Sequence, residues 1–226
     1  AMPSGMKNDP GEFAGAEPRI EPFEPLEFLH DRGGDPELAA GWKDVTAFSI
    51  QPTPPLLQEA KTRFPGRLKH VEGGEKDPVT IPFPDATFDA IFSVGVLEHV
   101  RETGGDERKS LRELRRILKP GGRFLDFHLP NRWSLIELLA RNLTKQYTHP
   151  YRFTPPDIRS MCRDTGFELE QTDTYAFFPR NMWRKFPDIV RNSAPLARLF
   201  NRVDGLFERL APILCQNHLF IAKKPL

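Results

Sequence analysis

The feature that most narrows what this chain can fold into is its rhythm of short apolar runs set between amphipathic or turn-rich stretches. The runs are Leu26–His30, Val45–Ile50, Leu68–Val71, Phe88–Ser93, Arg123–His128, Phe167–Gln171 and His218–Lys223. Each is rich in aromatic, β-branched or Leu residues, and runs of this length bounded by turn signals read as strands. Strands that alternate with helical stretches feed a mostly parallel sheet.

The helices carry their own punctuation. Thr53 can cap a helix opened by Pro54-Pro55, because proline is tolerated in a first turn whose N–H groups lack partners anyway. Asp106 can cap ERKSLRELRRIL, in which Leu111, Leu114, Ile117 and Leu118 share a face and Pro120-Gly121-Gly122 marks the stop. Thr154 with Pro155 starts another helix, and Gly166 ends it. Residues 1–24 hold Pro3, Pro10, Pro18 and Pro22 without a helical or strand period, so an extended or disordered arm is expected before a domain spanning 25–226.

Charge excludes some functions. The 32 basic and 31 acidic side chains nearly cancel, which argues against a dedicated nucleic-acid binder. Cys162 and Cys215 are too few for a disulfide framework and lack zinc-finger spacing, so no metal site is expected and a reducing cytoplasm is the expected location. No apolar run approaches the roughly 20 residues that span a bilayer, and the N-terminal stretch, where Ala1-Met2 reads as an expression remnant, lacks the apolar core of a signal peptide.

Three segments in order, IPFPDATFDAIFSVGVLEHV (81–100), LRELRRILKPGGRFLDFHLPN (111–131) and HPYRFTPPDIRSMCRDTGFELEQTD (149–173), carry a resemblance. Together they resemble the second half of a class I S-adenosylmethionine-dependent methyltransferase of the small-molecule, quinone-biosynthesis-like branch. The resemblance implies an α/β, Rossmann-like fold with a seven-stranded, mostly parallel sheet of order 3-2-1-4-5-7-6, and S-adenosylmethionine as cofactor if the protein is active. Ser93 and Val94 end a strand at the edge where open α/β sheets place ligands, and in the family that edge meets the cofactor's methionine part.

The half that should grip the cofactor departs from the family pattern. The best match to the glycine-rich first loop runs through His30, Arg32, Gly33, Gly34 and Pro36; Gly34 alone falls on an expected glycine, while Arg32 and Pro36 place bulk where the backbone must approach the ligand. Ser49 stands where the family has the carboxylate that takes both ribose hydroxyls, and a hydroxyl cannot be a bidentate charged acceptor. Gly74 stands where an aspartate holds the adenine amine, with Glu75 one residue along as the substitute.

Candidate chemistry falls on His99, a proton acceptor with an ordinary pKa near working pH, beside Glu98. The bland alternative is a histidine that orients Glu98 or packs on the sheet. His128 and Asn131 end the next strand, as substrate contacts or structural hydrogen-bonders. His149, Tyr151 and Arg152 lie in the loop that in the family covers the substrate, and could equally be solvated surface.

Residues 180–212 read as a helical insertion before the last strand. Over 180–210 there are seven basic and three acidic side chains, and Leu196, Leu199, Phe200, Val203, Leu206, Phe207 and Leu210 form one stripe. A cap packed on the sheet is favoured over a homo- or hetero-oligomer interface or a peripheral membrane contact. Three functions fit: a pseudo-methyltransferase that binds a small molecule or scaffolds a protein partner, an active small-molecule methyltransferase, or an enzyme on the same fold that does not use S-adenosylmethionine.

Overall fold

The computed structural model describes residues 45–49, 68–72, 79–143, 149–179 and 186–226. The expected arm over 1–24, the strand Leu26–His30 and the helix capped by Thr53 lie outside the described residues. The chain divides into two units, one of Ala1–Ala47 and Pro54–Val71, the other of Phe48–Thr53 and Glu72–Leu226. Strands β1 (Val45–Ser49) and β2 (Leu68–Glu72) pair in a two-stranded sheet.

The larger unit is built on a four-stranded sheet of β3 (Phe88–Val94), β4 (Leu118–Pro130), β5 (Glu168–Tyr175) and β6 (Asn217–Lys223), in the order β3-β4-β6-β5. β3 and β4 run parallel, with Ser93 opposite Asp126; β6 runs antiparallel to both β4 and β5. The fold is Rossmann-like.

Central strands buried on both faces require continuous apolar sequence, and β4 and β6 supply it: Phe124, Leu129, Phe220 and Ala222 have no exposed surface. Phe124 packs against Phe167 and Phe220 at ring separations of 6.2 and 5.7 Å. Helix α1 (Glu107–Ile117) covers this core with Leu111, and α3 (Pro155–Thr165) with Ile158 and Met161.

Local signals end the elements where the sequence places them. The Asp106 carboxylate accepts the Lys109 N–H at 3.0 Å. Thr154 and Asp157 form a reciprocal capping box, and Gly166 closes α3 at φ 77°. At the α1–β4 turn, a Cβ on Gly122 would lie 2.9 Å from the Asp89 and Lys119 carbonyl oxygens, so only glycine fits.

One arginine pins the segment that launches β3. Arg116 holds Glu113 with two hydrogen bonds of 2.7 and 2.9 Å, and also donates to Asp85 and to the carbonyls of Phe83 and Ile81. Lys119 pairs with Asp89 at 2.8 Å on the strand itself. The two aspartates that frame this turn in the sequence are therefore anchored by α1 and its C-terminal neighbour.

The 180–212 region holds two α-helices among its described residues, before the last strand. Helix α4 (Asp188–Arg191) is one turn, and α5 (Ala194–Leu210) follows the expected apolar period but buries only Asp204. Leu199, Leu206 and Leu210 are 57%, 53% and 71% exposed. The helix attaches by a polar edge: Asp204 accepts the Phe178 N–H at 2.8 Å and Glu208 the Ala176 N–H at 2.6 Å, while Phe200 and Phe207 meet Phe178. Carboxylates that satisfy strand-end N–H groups face inward, and the leucines are left outside. Of the stripe, Phe200 and Phe207 pack on the aromatics that follow β5, while Leu199, Leu206 and Leu210 face away from them.

Candidate functional site

The carboxyl ends of β3 and β4 carry most of the expected site. Past β3, Gly95 turns at φ 65° and donates to the Phe127 carbonyl at 3.0 Å, which delivers the chain into a 3-10 helix, η1 (Leu97–Thr103). Glu98 on η1 is buried at 3% exposure, whereas His99 is half exposed. Burial raises the Glu98 carboxyl above the ordinary range, a shift that its backbone hydrogen bond and the neighbouring His99 and His149 partly offset. Below it, burial holds the Asp126 carboxyl well above its usual value; the Ser93 hydroxyl opposes that shift and Glu98 adds to it.

His149 is brought to the same place from another direction. Ser134 accepts the Glu137 N–H at the start of α2 (Leu135–Leu143), and Glu137 then receives both the backbone N–H and Nδ1 of His149, at 3.3 and 2.8 Å. The hydrogen bond to Glu137 raises the His149 pKa. Burial works to raise Glu137, but the bond from His149 prevails and lowers it. His99 sits with Nδ1 3.0 Å from Glu102 and its ring centroid 5.9 Å from that of His149.

The loop after His149 is stitched to the end of β4. Asn131 and Phe153 form a parallel bridge, with Phe153 N–H donating to Pro130 and Arg132 N–H to Phe153. A pocket of about 290 Å³ opens beside this bridge, lined by Arg101, Arg108, Arg132, Tyr151, Arg152 and Asp157 among others. Arg101 lies 5.1 Å from the centre of the Tyr151 ring. Arg101 is paired with the buried Glu107 at 2.7 Å and Arg108 with Asp164 at 3.0 Å. Arg132 and Arg152 make no ion pair among the described residues. Four guanidinium groups thus line the pocket with one carboxylate, two of the four already paired with acids beside it.

The sequence-derived set therefore divides. Glu98, His99 and His149 converge; Tyr151 and Arg152 line the pocket. Asn131 is 1% exposed, and its amide donates to the Ile213 and Cys215 carbonyls at 2.8 Å each while its oxygen accepts the Trp133 N–H. Both amide hydrogens of Asn131 are thereby engaged in hydrogen bonds within the fold. His128 is held by Tyr175. Arg101, Arg108 and Arg132 were not among the residues expected from sequence; the one available signal was an arginine density over 101–152 with few acids at i,i+4.

For the cofactor, Val94 is exposed at the β3 end and Ser93 half-buried below it. Gly33, Gly34, Gly74 and Glu75 lie outside the described residues. β1 ends on Ser49, the position at which the family's ribose-binding carboxylate is expected, and a neutral hydroxyl there does not fit a ribose diol clamp. Burial pushes the Cys162 thiol up to about 12, which disfavours its thiolate.

Comparison with known proteins is consistent with the architecture. The family described as "Methyltransferase domain" matches residues 35–126. The chain is 34% identical over 100 residues to the O-methyltransferase resE of Aspergillus sclerotiorum, covering 41% of this chain and 34% of that protein. It is 32% identical over 133 residues to the ubiquinone/menaquinone biosynthesis C-methyltransferase UbiE of Escherichia coli, covering 48% of this chain and 50% of UbiE. The chain thus spans half or less of the length of these relatives. Among solved structures, it resembles a chain from the complex of the Haloferax volcanii Trm112 methyltransferase activator with a methyltransferase, at TM-score 0.55 and 19% identity over 89% of this chain and 77% of the other. These matches and the strand order agree on a Rossmann-like methyltransferase fold, and residues 35–126 resemble the methyltransferase-domain family.

Proposed function

We propose that this chain is a pseudo-methyltransferase, a binding or scaffold subunit that keeps the class I fold and the ligand side of its cleft, holds an anionic small molecule, and lacks a working grip on S-adenosylmethionine. In this reading β3-β4-β6-β5 is the 4-5-7-6 half of the seven-stranded order. The arginine pocket carries the proposal, because Arg132 and Arg152 bring positive charge to it and make no ion pair among the described residues. Losing two charge-assisted contacts at about 1.5–3 kcal/mol each would weaken cofactor binding roughly 100-fold or more. A scaffold role would use the exposed stripe of α5, and the Trm112 complex of a structural neighbour supports a protein partner.

The pocket is tested by calorimetric titration of the full chain with inorganic pyrophosphate. Saturable binding is expected, weakened by about tenfold or more, or 1.4 kcal/mol, in the Arg132→Ala/Arg152→Ala double variant. Those two are chosen because Arg101 and Arg108 also hold the fold through Glu107 and Asp164. Unchanged affinity in the double variant, or no binding up to roughly 10 mM, would contradict the assignment. A second reading, an active small-molecule methyltransferase with His99 as proton acceptor, is favoured by the activities named for resE and UbiE, and it requires S-adenosylmethionine to bind.

A further inference from the structure

Two histidines and a glutamate meet near the β3 end. Glu98 and His99 come from η1 and His149 from the segment after α2, and one donor atom of each lies within 4.8 Å of the other two. His99 Nε2 is 3.9 Å from Glu98 Oε1. Each imidazole is gripped at Nδ1 by its own carboxylate, Glu102 at 3.0 Å for His99 and Glu137 at 2.8 Å for His149. A carboxylate on one ring nitrogen sets the tautomer and aim of the ring, and makes the other nitrogen, here Nε2, the better ligand.

The glutamate adds an independent sign. Glu98 is 3% exposed, and its Oε2 is buried without a hydrogen-bond partner among the described residues. A buried carboxylate oxygen in that state calls for a counter-charge or a missing ion.

We propose that Glu98, His99 and His149 bind a divalent transition-metal ion, with Glu102 and Glu137 as the outer carboxylates that orient the two histidines. Two imidazoles and one carboxylate favour zinc and its neighbours over magnesium, which takes oxygen ligands and keeps its waters. At bond lengths of about 2.0–2.2 Å, tetrahedral donors lie about 3.4 Å apart, so closing the present triangle takes side-chain rotation of roughly an ångström. Three protein ligands leave a fourth position for water or an exogenous donor, the pattern of an open site. The proposal goes beyond the anion pocket and rests on different residues, so either can fail alone.

The test is calorimetric titration of the chelator-treated full chain with zinc chloride. One ion per chain is expected, with Kd at or below about 10 μM and affinity for magnesium at least roughly 100-fold weaker. Glu98→Gln and His149→Ala should each weaken zinc at least about tenfold, with circular dichroism in chelator confirming the fold. If either fails to fold, Glu137→Gln leaves the ligands in place and should lower affinity by about 10–100-fold through its loss from the outer shell. Zinc binding absent at about 1 mM, unchanged in the folded variants, or equalled by magnesium would overturn the site.

Discussion

The hydroxyl of Tyr175 lies 2.9 Å from the backbone nitrogen of His128 and 2.9 Å from the Nδ1 of the same residue. His128 has φ 69°, a conformation that residues with a Cβ rarely adopt, at a point where the β4–β6 register shifts. The phenol accepts the backbone N–H and is hydrogen-bonded to Nδ1 of the ring. One side chain therefore holds both the strained backbone and the imidazole of the same residue.

Tyr175→Phe removes that oxygen and leaves the His128 N–H without its partner beside a buried ring. The expected loss is about 2 kcal/mol, which in a chain of this size lowers Tm by roughly 4–8 °C. Thermal unfolding followed by circular dichroism measures it; an unchanged Tm would show that the bridge does not hold the bulge.

The Arg116 staple should give a pH-dependent stability. Arg116 holds the Glu113 carboxyl below its ordinary range, against an opposing contribution from burial. A depressed carboxylate stabilises the fold above the unfolded pKa, and that contribution is lost as pH falls through the folded one. Glu113→Gln is expected to lower stability by about 1–2 kcal/mol at neutral pH, allowing for the partial exposure of Arg116, and to converge with the parent as pH drops below the depressed value. Urea unfolding at several pH values reads this directly, and a difference that grows on acidification would contradict the assignment.

Helix α5 separates two substitutions in opposite directions. Asp204→Ala leaves the Phe178 N–H without its acceptor and should destabilise by about 1–3 kcal/mol. Leu199→Asp changes an exposed side chain and should stay within about 0.5 kcal/mol of the parent. Denaturant melts of both variants suffice; a large loss in Leu199→Asp alone would mean that the stripe is covered after all.

Much of the fold was legible because its signals are local. Asp106, Thr154 and Gly166 act on backbone groups within a few residues, so their spacing alone announces helix ends, and the apolar runs at β4 and β6 announce strands buried on both faces. The site was less legible because its contacts are long-range. Nothing near Asn131 in sequence reveals that its amide reaches Ile213 and Cys215, and nothing near His149 reveals that it meets Glu98 and His99. The absence of a metal motif was inferred from contiguous spacing, a criterion that cannot see a cluster assembled by tertiary contacts. On α5 the period correctly grouped the leucines on one face, but periodicity cannot say whether a neighbour covers that face; the two carboxylates that dock the helix decide it.

The central claim is that this fold lacks a working hold on the methyl donor, and direct calorimetric titration of the full chain with S-adenosylmethionine, and separately with S-adenosylhomocysteine, tests it most plainly. No saturable heat is expected with either compound up to about 1 mM. One-to-one binding with a Kd in the low micromolar range would contradict the pseudo-methyltransferase assignment and establish a cofactor site built from other contacts than Ser49 and Gly74 can provide.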